Sequence, residues 1–190
     1  GWNPGDEREI MSKEELINEF DLLKVQKGGG VFNIDKLHWI NKQYLNTLSN
    51  EEFAEYIAPL FAELKKTPIY NQEIMDAIIP IIRERTSYLG DVQSMIAEGG
   101  LDYYFAQPTI DTQKIVWKKG TKEDAIVYLT KVANMINGYE EAWNAQALKD
   151  FIFPYADKVG RGDVLWPLRF ALSGRDKSPD PFTLLEILGK

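Results

Sequence analysis

The sequence predicts an all-α protein built as a multi-helix domain in two helical parts, on three observations. Apolar residues recur three and four apart along nearly the whole chain, the spacing of one helix face. Helix-start signals stand immediately before those runs, among them the capping boxes Ser12–Glu15 and Ser49–Glu52. No stretch alternates apolar and polar residues as a half-buried strand would. With 190 residues, 44% of them hydrophobic, the chain holds enough for one sizeable core or two small ones.

Taken in order, Ser12 opens a helix carrying the apolar stripe Leu16, Ile17, Phe20 and Leu23. Gly28-Gly29-Gly30 interrupts it, and a short helix follows with Leu37, Ile40 and Tyr44, Trp39 beside them. Ser49 opens the strongest amphipathic run, Phe53, Tyr56, Ile57, Leu60, Phe61 and Leu64, with Pro59 expected to bend it or remove a hydrogen bond. Asn71 caps the next helix, whose apolar positions include Ile74, Met75, Ile78, Ile79 and Ile82, ending near Arg83-Glu84-Arg85-Thr86. A further helix runs to about Glu98 before Gly99-Gly100.

Residues 101–120 read as irregular, punctuated by Pro108 and Gly120, and mark the best internal boundary. Beyond it, Thr121 with Asp124 opens a helix through Ile126, Leu129, Val132 and Ile136, closed by Gly138. Residues 144–158 form another, and a shorter one covers about 163–173. The last, Pro181 to Leu188, has Asp180 as N-cap, Pro181 at the first helical position and Gly189 beyond its end.

Composition excludes several classes of function. Without Cys there is no disulfide framework, thiol nucleophile or thiolate zinc site, which agrees with a reducing, cytoplasmic setting. No apolar run is long enough to span a membrane. The start, Gly1-Trp2-Asn3-Pro4-Gly5-Asp6, reads as the middle of a longer chain and carries no secretory signal. The net charge of −7 argues against a generic nucleic-acid binder, although its distribution is uneven. Residues 1–23 hold seven acids against two bases, residues 24–46 four Lys against Asp35, and residues 155–177 five bases against three Asp.

No residue set assembles into an active site. His38 is the sole histidine and lies in a helix between Leu37 and Trp39, where packing is favoured over catalysis. The pairs Glu51-Glu52 and Glu140-Glu141 read as helix-start acids. Gly28-Gly29-Gly30 lacks the strand before it and the Lys-Ser/Thr after it that a phosphate loop needs. No metal-ligand cluster appears. Two groups nonetheless stand out: Arg83 and Arg85 at a helix end, and a stretch from Gly162 through Trp166, Arg169 and Arg175 to Ser178-Pro179-Asp180-Pro181. The second offers aromatic, guanidinium and hydroxyl groups to an RNA loop, but on chemistry alone a helix–helix corner with solvated arginines is the simpler account.

Three segments resemble one family. Gly1-Trp2-Asn3-Pro4-Gly5-Asp6-Glu7-Arg8-Glu9 is similar to a stretch that follows the catalytic domain of bacterial glutamyl-tRNA synthetases. Val31 through Asn41, with Tyr44, resembles that family's Phe-Asp-x-x-Lys-Leu-x-Trp-x-Asn-x-x-Tyr. Pro167-Leu168-Arg169-Phe170-Ala171-Leu172-Ser173-Gly174 resembles its Pro-Leu-Arg-x-Ala-Leu-Thr-Gly, and Ile187-Leu188-Gly189-Lys190 also fits. The matches fall in family order and cover essentially the whole chain.

The resemblance implies the anticodon-binding half of a class I synthetase, an α-helical cage. On that basis residues 1–48 end the stem-contact region, residues 49–99 form one anticodon-binding subdomain and residues 100–190 a second. ATP and Mg belong to a catalytic domain upstream, since neither a KMSKS loop nor a HIGH-type signature is present, and this part is expected to bind no cofactor or metal. The implied partners are tRNA-Glu and that catalytic domain in cis, in a monomer.

The resemblance also places Arg85, with Arg83 its nearest rival, against the third anticodon base. Arg169 and the turn Ser178, Pro179, Asp180, Pro181 fall to the other two bases, with Trp166 as a stacking candidate. Pro181 and Trp166 depart from the family pattern, which usually has a longer apolar residue and a polar one there. A synthetase charging both tRNA-Glu and tRNA-Gln, and a helical protein-interaction module of the translation machinery, are the alternatives.

Overall fold

The computed structural model describes residues 1–28, 30–118 and 120–189. Nine α-helices occur among the described residues: α1 Lys13–Glu19, α2 Ile34–Thr47, α3 Asn50–Ile57, α4 Gln72–Arg85, α5 Leu89–Ala97, α6 Lys122–Asn137, α7 Ala145–Val159, α8 Arg161–Ser173 and α9 Pro181–Leu188. No strand occurs among them, so the expected all-helical class is observed. Of the Gly28–Gly30 break, Gly29 lies outside the described residues, as does Lys190 of the C-terminal motif.

Local chemistry sets the helix starts. Ser12, Ser49 and Thr121 each accept from the amide three residues on, while Glu15, Glu52 and Asp124 reach back to the cap amide. Asn71 and Asp180 accept from two amides each. A cap of this kind contributes about 1 kcal/mol by satisfying amides that no turn above can reach. At Pro59 the α-helical pattern gives way to a 3-10 turn over Ala58–Phe61, so α3 is shorter than its apolar run. Glu140 and Glu141 precede α7 in a loop rather than opening the helix, because Asn144 caps it.

Two hydrophobic cores result. The first gathers Phe53, Ile57 and Phe61 with Ile78, Ile79 and Ile82 of α4, Val92 of α5, and Leu101, Tyr103 and Tyr104 from the segment after it. The second is built by Val132 of α6, Leu148, Ile152 and Ala156 of α7, and Val164 and Leu168 of α8. Helix α9 serves both: Leu184 belongs to the first, Phe182 and Leu185 to the second. Residues 101–105, irregular in sequence, include a 3-10 turn over Asp102–Tyr104 and pack into the first core.

The N-terminal segment is organised differently. Its expected stripe is not buried: Ile17, Phe20 and Leu23 are 65%, 52% and 93% exposed. Polar ties hold it instead. Arg8 pairs with Asp6 and Glu19, Lys36 with Glu9, and the Tyr44 hydroxyl donates to the Met11 carbonyl at 2.6 Å. From this segment Leu45 is buried in the first core and Leu48 packs against it.

Candidate nucleic-acid interface

Arg83 and Arg85 occupy the last turn of α4, where positive charge complements the carbonyl end of the helix. Helix α2 fixes this end. The Lys42 ammonium donates to the Glu84 carbonyl at 2.7 Å, and the Asn41 amide donates to the Ser87 carbonyl. Thr86, fully buried, closes the turn by donating its hydroxyl to the Ile82 carbonyl at 2.7 Å. The Arg83 guanidinium is committed to the fold, donating to the Leu48 carbonyl at 2.7 Å across the α2–α3 corner.

Arg85 is exposed, and among the described residues its guanidinium has no hydrogen-bond or ion-pair partner. Its charge is felt by Tyr104. Burial, reinforced by the neighbouring Tyr103 hydroxyl, pushes the Tyr104 phenol up from its ordinary value, and Arg85 partly opposes that shift. Ile82 of α4 and Tyr104 of the 102–104 turn belong to the same core.

The second group forms one connected cluster. Helix α8 begins after Gly160, whose φ of +139 suits glycine, and carries Trp166 and Arg169 on its interior turns. The Arg169 guanidinium lies over the Trp166 ring at 4.7 Å. It donates through Nη2 to the Asp176 carbonyl at 2.9 Å and through Nη1 to the Ser178 hydroxyl at 3.1 Å. Ser173 extends the network, donating to the Arg169 carbonyl at 2.8 Å. The turn into α9 is thus shaped by a guanidinium beneath it.

Pro181 is buried, and the Asp180 carboxylate accepts from the Phe182 and Thr183 amides at 2.9 and 3.1 Å. Those amides are accordingly not free for a phosphate, and the carboxylate's charge opposes one. Of this cluster Asp180 is exposed and Trp166, Arg169, Ser178 and Pro179 are half-buried, with both Arg169 Nη groups engaged in shaping the turn. Among the described residues no hydrogen bond or ion pair joins it to Arg85, so the candidate interface has two separate poles.

One further element joins this cluster beyond those expected from the sequence. The loop before α6 brings Trp117 to within 5.2 Å of Trp166, ring centre to ring centre. An aromatic residue followed by lysines, Trp117-Lys118-Lys119, was the available signal; Lys119 lies outside the described residues. His38, by contrast, stacks on Tyr88 at 4.5 Å, a packing role.

A family described as "Anticodon binding domain" matches residues 52–190. The chain belongs to that family. Relatives that align with the whole chain are glutamate–tRNA ligases. A glutamate–tRNA ligase of Porphyromonas gingivalis is 30% identical over 192 residues, covering 100% of this chain and 36% of the relative. One of Clostridium novyi is 32% identical over 200 residues, covering 100% of this chain and 39% of the relative. The solved glutamate–tRNA ligase of Elizabethkingia meningosepticum, in complex with its amino acid, superposes with a TM-score of 0.77 at 30% identity, over 100% of this chain and 36% of that one. The chain thus spans a little over a third of the length of the relatives it matches.

Proposed function

We propose that this chain is the tRNA-reading part of a glutamate–tRNA ligase, and that Arg85 reads the third anticodon base. The observation that carries the reading is the contrast at the end of α4: Arg83 is committed to the Leu48 carbonyl, while Arg85 is exposed on a firmly held helix end. Cytosine, the third anticodon base of tRNA-Glu, presents O2 and N3 as adjacent acceptors that suit a guanidinium fork. Guanine, at that place in tRNA-Gln, presents N1–H and N2–H donors that oppose it. A mismatch of this type costs about 1–3 kcal/mol.

In this reading the Trp166–Arg169–Ser178 cluster meets the first two anticodon bases. Residues 1–48 belong to the stem-contact region, 49–99 and 100–190 to two anticodon-binding subdomains. Adenylation of glutamate, with its ATP and Mg, lies with a catalytic domain in cis. The exposed apolar side chains of residues 1–48 are the surface on which other parts of such a monomeric, cytoplasmic enzyme would rest.

The test compares binding of tRNA-Glu with that of a transcript altered from C to G at the third anticodon base alone. The chain is expected to prefer C by roughly 5- to 150-fold, the equivalent of that mismatch cost. Arg85→Ala is expected to abolish the preference. Equal binding of both transcripts by the unaltered chain would favour a non-discriminating enzyme, and no binding to either would favour a protein-interaction module.

A further inference from the structure

We infer that the loop spanning residues 110–118 is an additional RNA-contacting element, in which Trp117 stacks on an unpaired base beside the Trp166–Arg169 cluster. The inference rests on the reading of that cluster as an RNA contact.

The loop is fastened to the cluster at both of its levels. The Trp166 indole N–H donates to the Lys114 carbonyl at 2.9 Å, tying the loop to α8. The Lys114 ammonium donates to the Asp176 carboxylate at 3.1 Å, tying it to the turn that Arg169 shapes. Trp117 then lies against the first turn of α8 over Gly162, where a Cβ would come within 2.1 Å of the indole nitrogen. Glycine at 162 is therefore what allows the ring to seat.

Folding alone does not account for this arrangement. Trp166 stacks on the buried Phe170 at 6.2 Å, whereas the half-buried Trp117 packs on Trp166 and belongs to neither hydrophobic core. Lys118 holds a positive φ of +47, uncommon for a residue with a side chain, and its ammonium stands over the Trp117 ring at 5.0 Å. A cation there marks a ring surface open to solvent. Such a cation is worth roughly two- to fivefold in an equilibrium at an exposed site, and a stacked base roughly 5- to 150-fold. A base therefore displaces the lysine, whose charge then falls beside the sugar–phosphate backbone. Stacking tolerates any base, so Trp117 contributes affinity without reading the triplet, the opposite of the role proposed for Arg85.

The experiment measures binding of an anticodon stem-loop RNA, carrying C or G at the third anticodon base, by fluorescence anisotropy. Trp117→Leu fills the space above Gly162 without an aromatic face, and Trp117→Phe retains the face. Trp117→Leu is expected to weaken both RNAs by about tenfold and equally, with Trp117→Phe recovering most of the loss. Lys118→Glu, which leaves the seat of Trp117 intact, is expected to weaken binding and to lower the salt slope by about one. Unchanged binding by Trp117→Leu, alongside weakened binding by Arg169→Ala, would overturn the loop contact and leave the proposed function standing. Absence of binding by the unaltered chain would overturn both. Should Trp117→Leu melt well below the unaltered chain, Lys118→Glu decides, and an unchanged affinity and salt slope would sink the inference.

Discussion

Two arginines two residues apart on α4 show how the fold divides labour among identical side chains. Arg83 points back across the α2–α3 corner and satisfies the Leu48 carbonyl, whereas Arg85 remains exposed. Arg83→Ala is thus expected to lower stability by about 1–3 kcal/mol, the cost of stranding a partly buried carbonyl, as measured by urea denaturation. It should leave discrimination between C and G at the third anticodon base intact. Arg85→Ala should do the reverse, losing selectivity while leaving the urea midpoint unmoved. The pair was visible in the sequence, but its division was not, because Leu48 lies 35 residues away and helical spacing carries no information about such a contact. Trp166 was equally half-legible. Its aromatic character suggested stacking, whereas the guanidinium over its ring and the neighbouring Trp117 come from distant segments.

At the level of elements, the helix starts were legible nearly to the residue, since a cap and the amides it satisfies lie within three positions of each other. Asp180 carries the clearest consequence. Asp180→Ala removes the acceptor for two amides of α9 and is expected to cost about 0.5–2 kcal/mol in chemical denaturation.

A second element-scale contact predicts a pH dependence. The Arg161 guanidinium, hydrogen-bonded to Asp157 across the α7–α8 corner, holds that carboxyl below its ordinary range. A lowered folded-state value means the contribution is present above the unfolded carboxylate pKa of about 3.9 and lost as pH falls through the lowered value. The melting temperatures of the unaltered chain and Asp157→Asn should therefore differ at neutral pH and converge as pH falls through that lowered value.

Proline was the least legible signal at this scale. Pro59 interrupts an α-helix, yet Pro80, Pro154 and Pro167 sit inside α4, α7 and α8. Pro80 and Pro154 are exposed, so water can take the carbonyls they leave unpaired. The stripe of α1 misled in another way: periodicity reports an apolar face and says nothing about what covers it.

For the molecule as a whole, the decisive arrangement is the insertion of α9 between the cores. Leu184 is fully buried in one, while Phe182 and Leu185 are buried in the other, and the Trp143 indole N–H donates to the Leu185 carbonyl at 2.8 Å. Leu184→Ala is expected to cost about 2–5 kcal/mol, the range for emptying a buried leucine site. Because the helix is shared, that loss should move the unfolding of both cores together. Circular dichroism and tryptophan fluorescence should then trace one coincident transition; two resolved transitions would show that the cores unfold separately.

The same helix has a consequence in time. Ribosomes extend a chain at about 5–20 residues per second and domains form as their parts emerge. Helices α3 to α5 and α6 to α8 precede α9 in the chain, so each nascent core waits, with one wall open, for residues 181–188. The final commitment of both halves is therefore a single late event, and a stall before α9 would leave two half-closed apolar clefts facing each other.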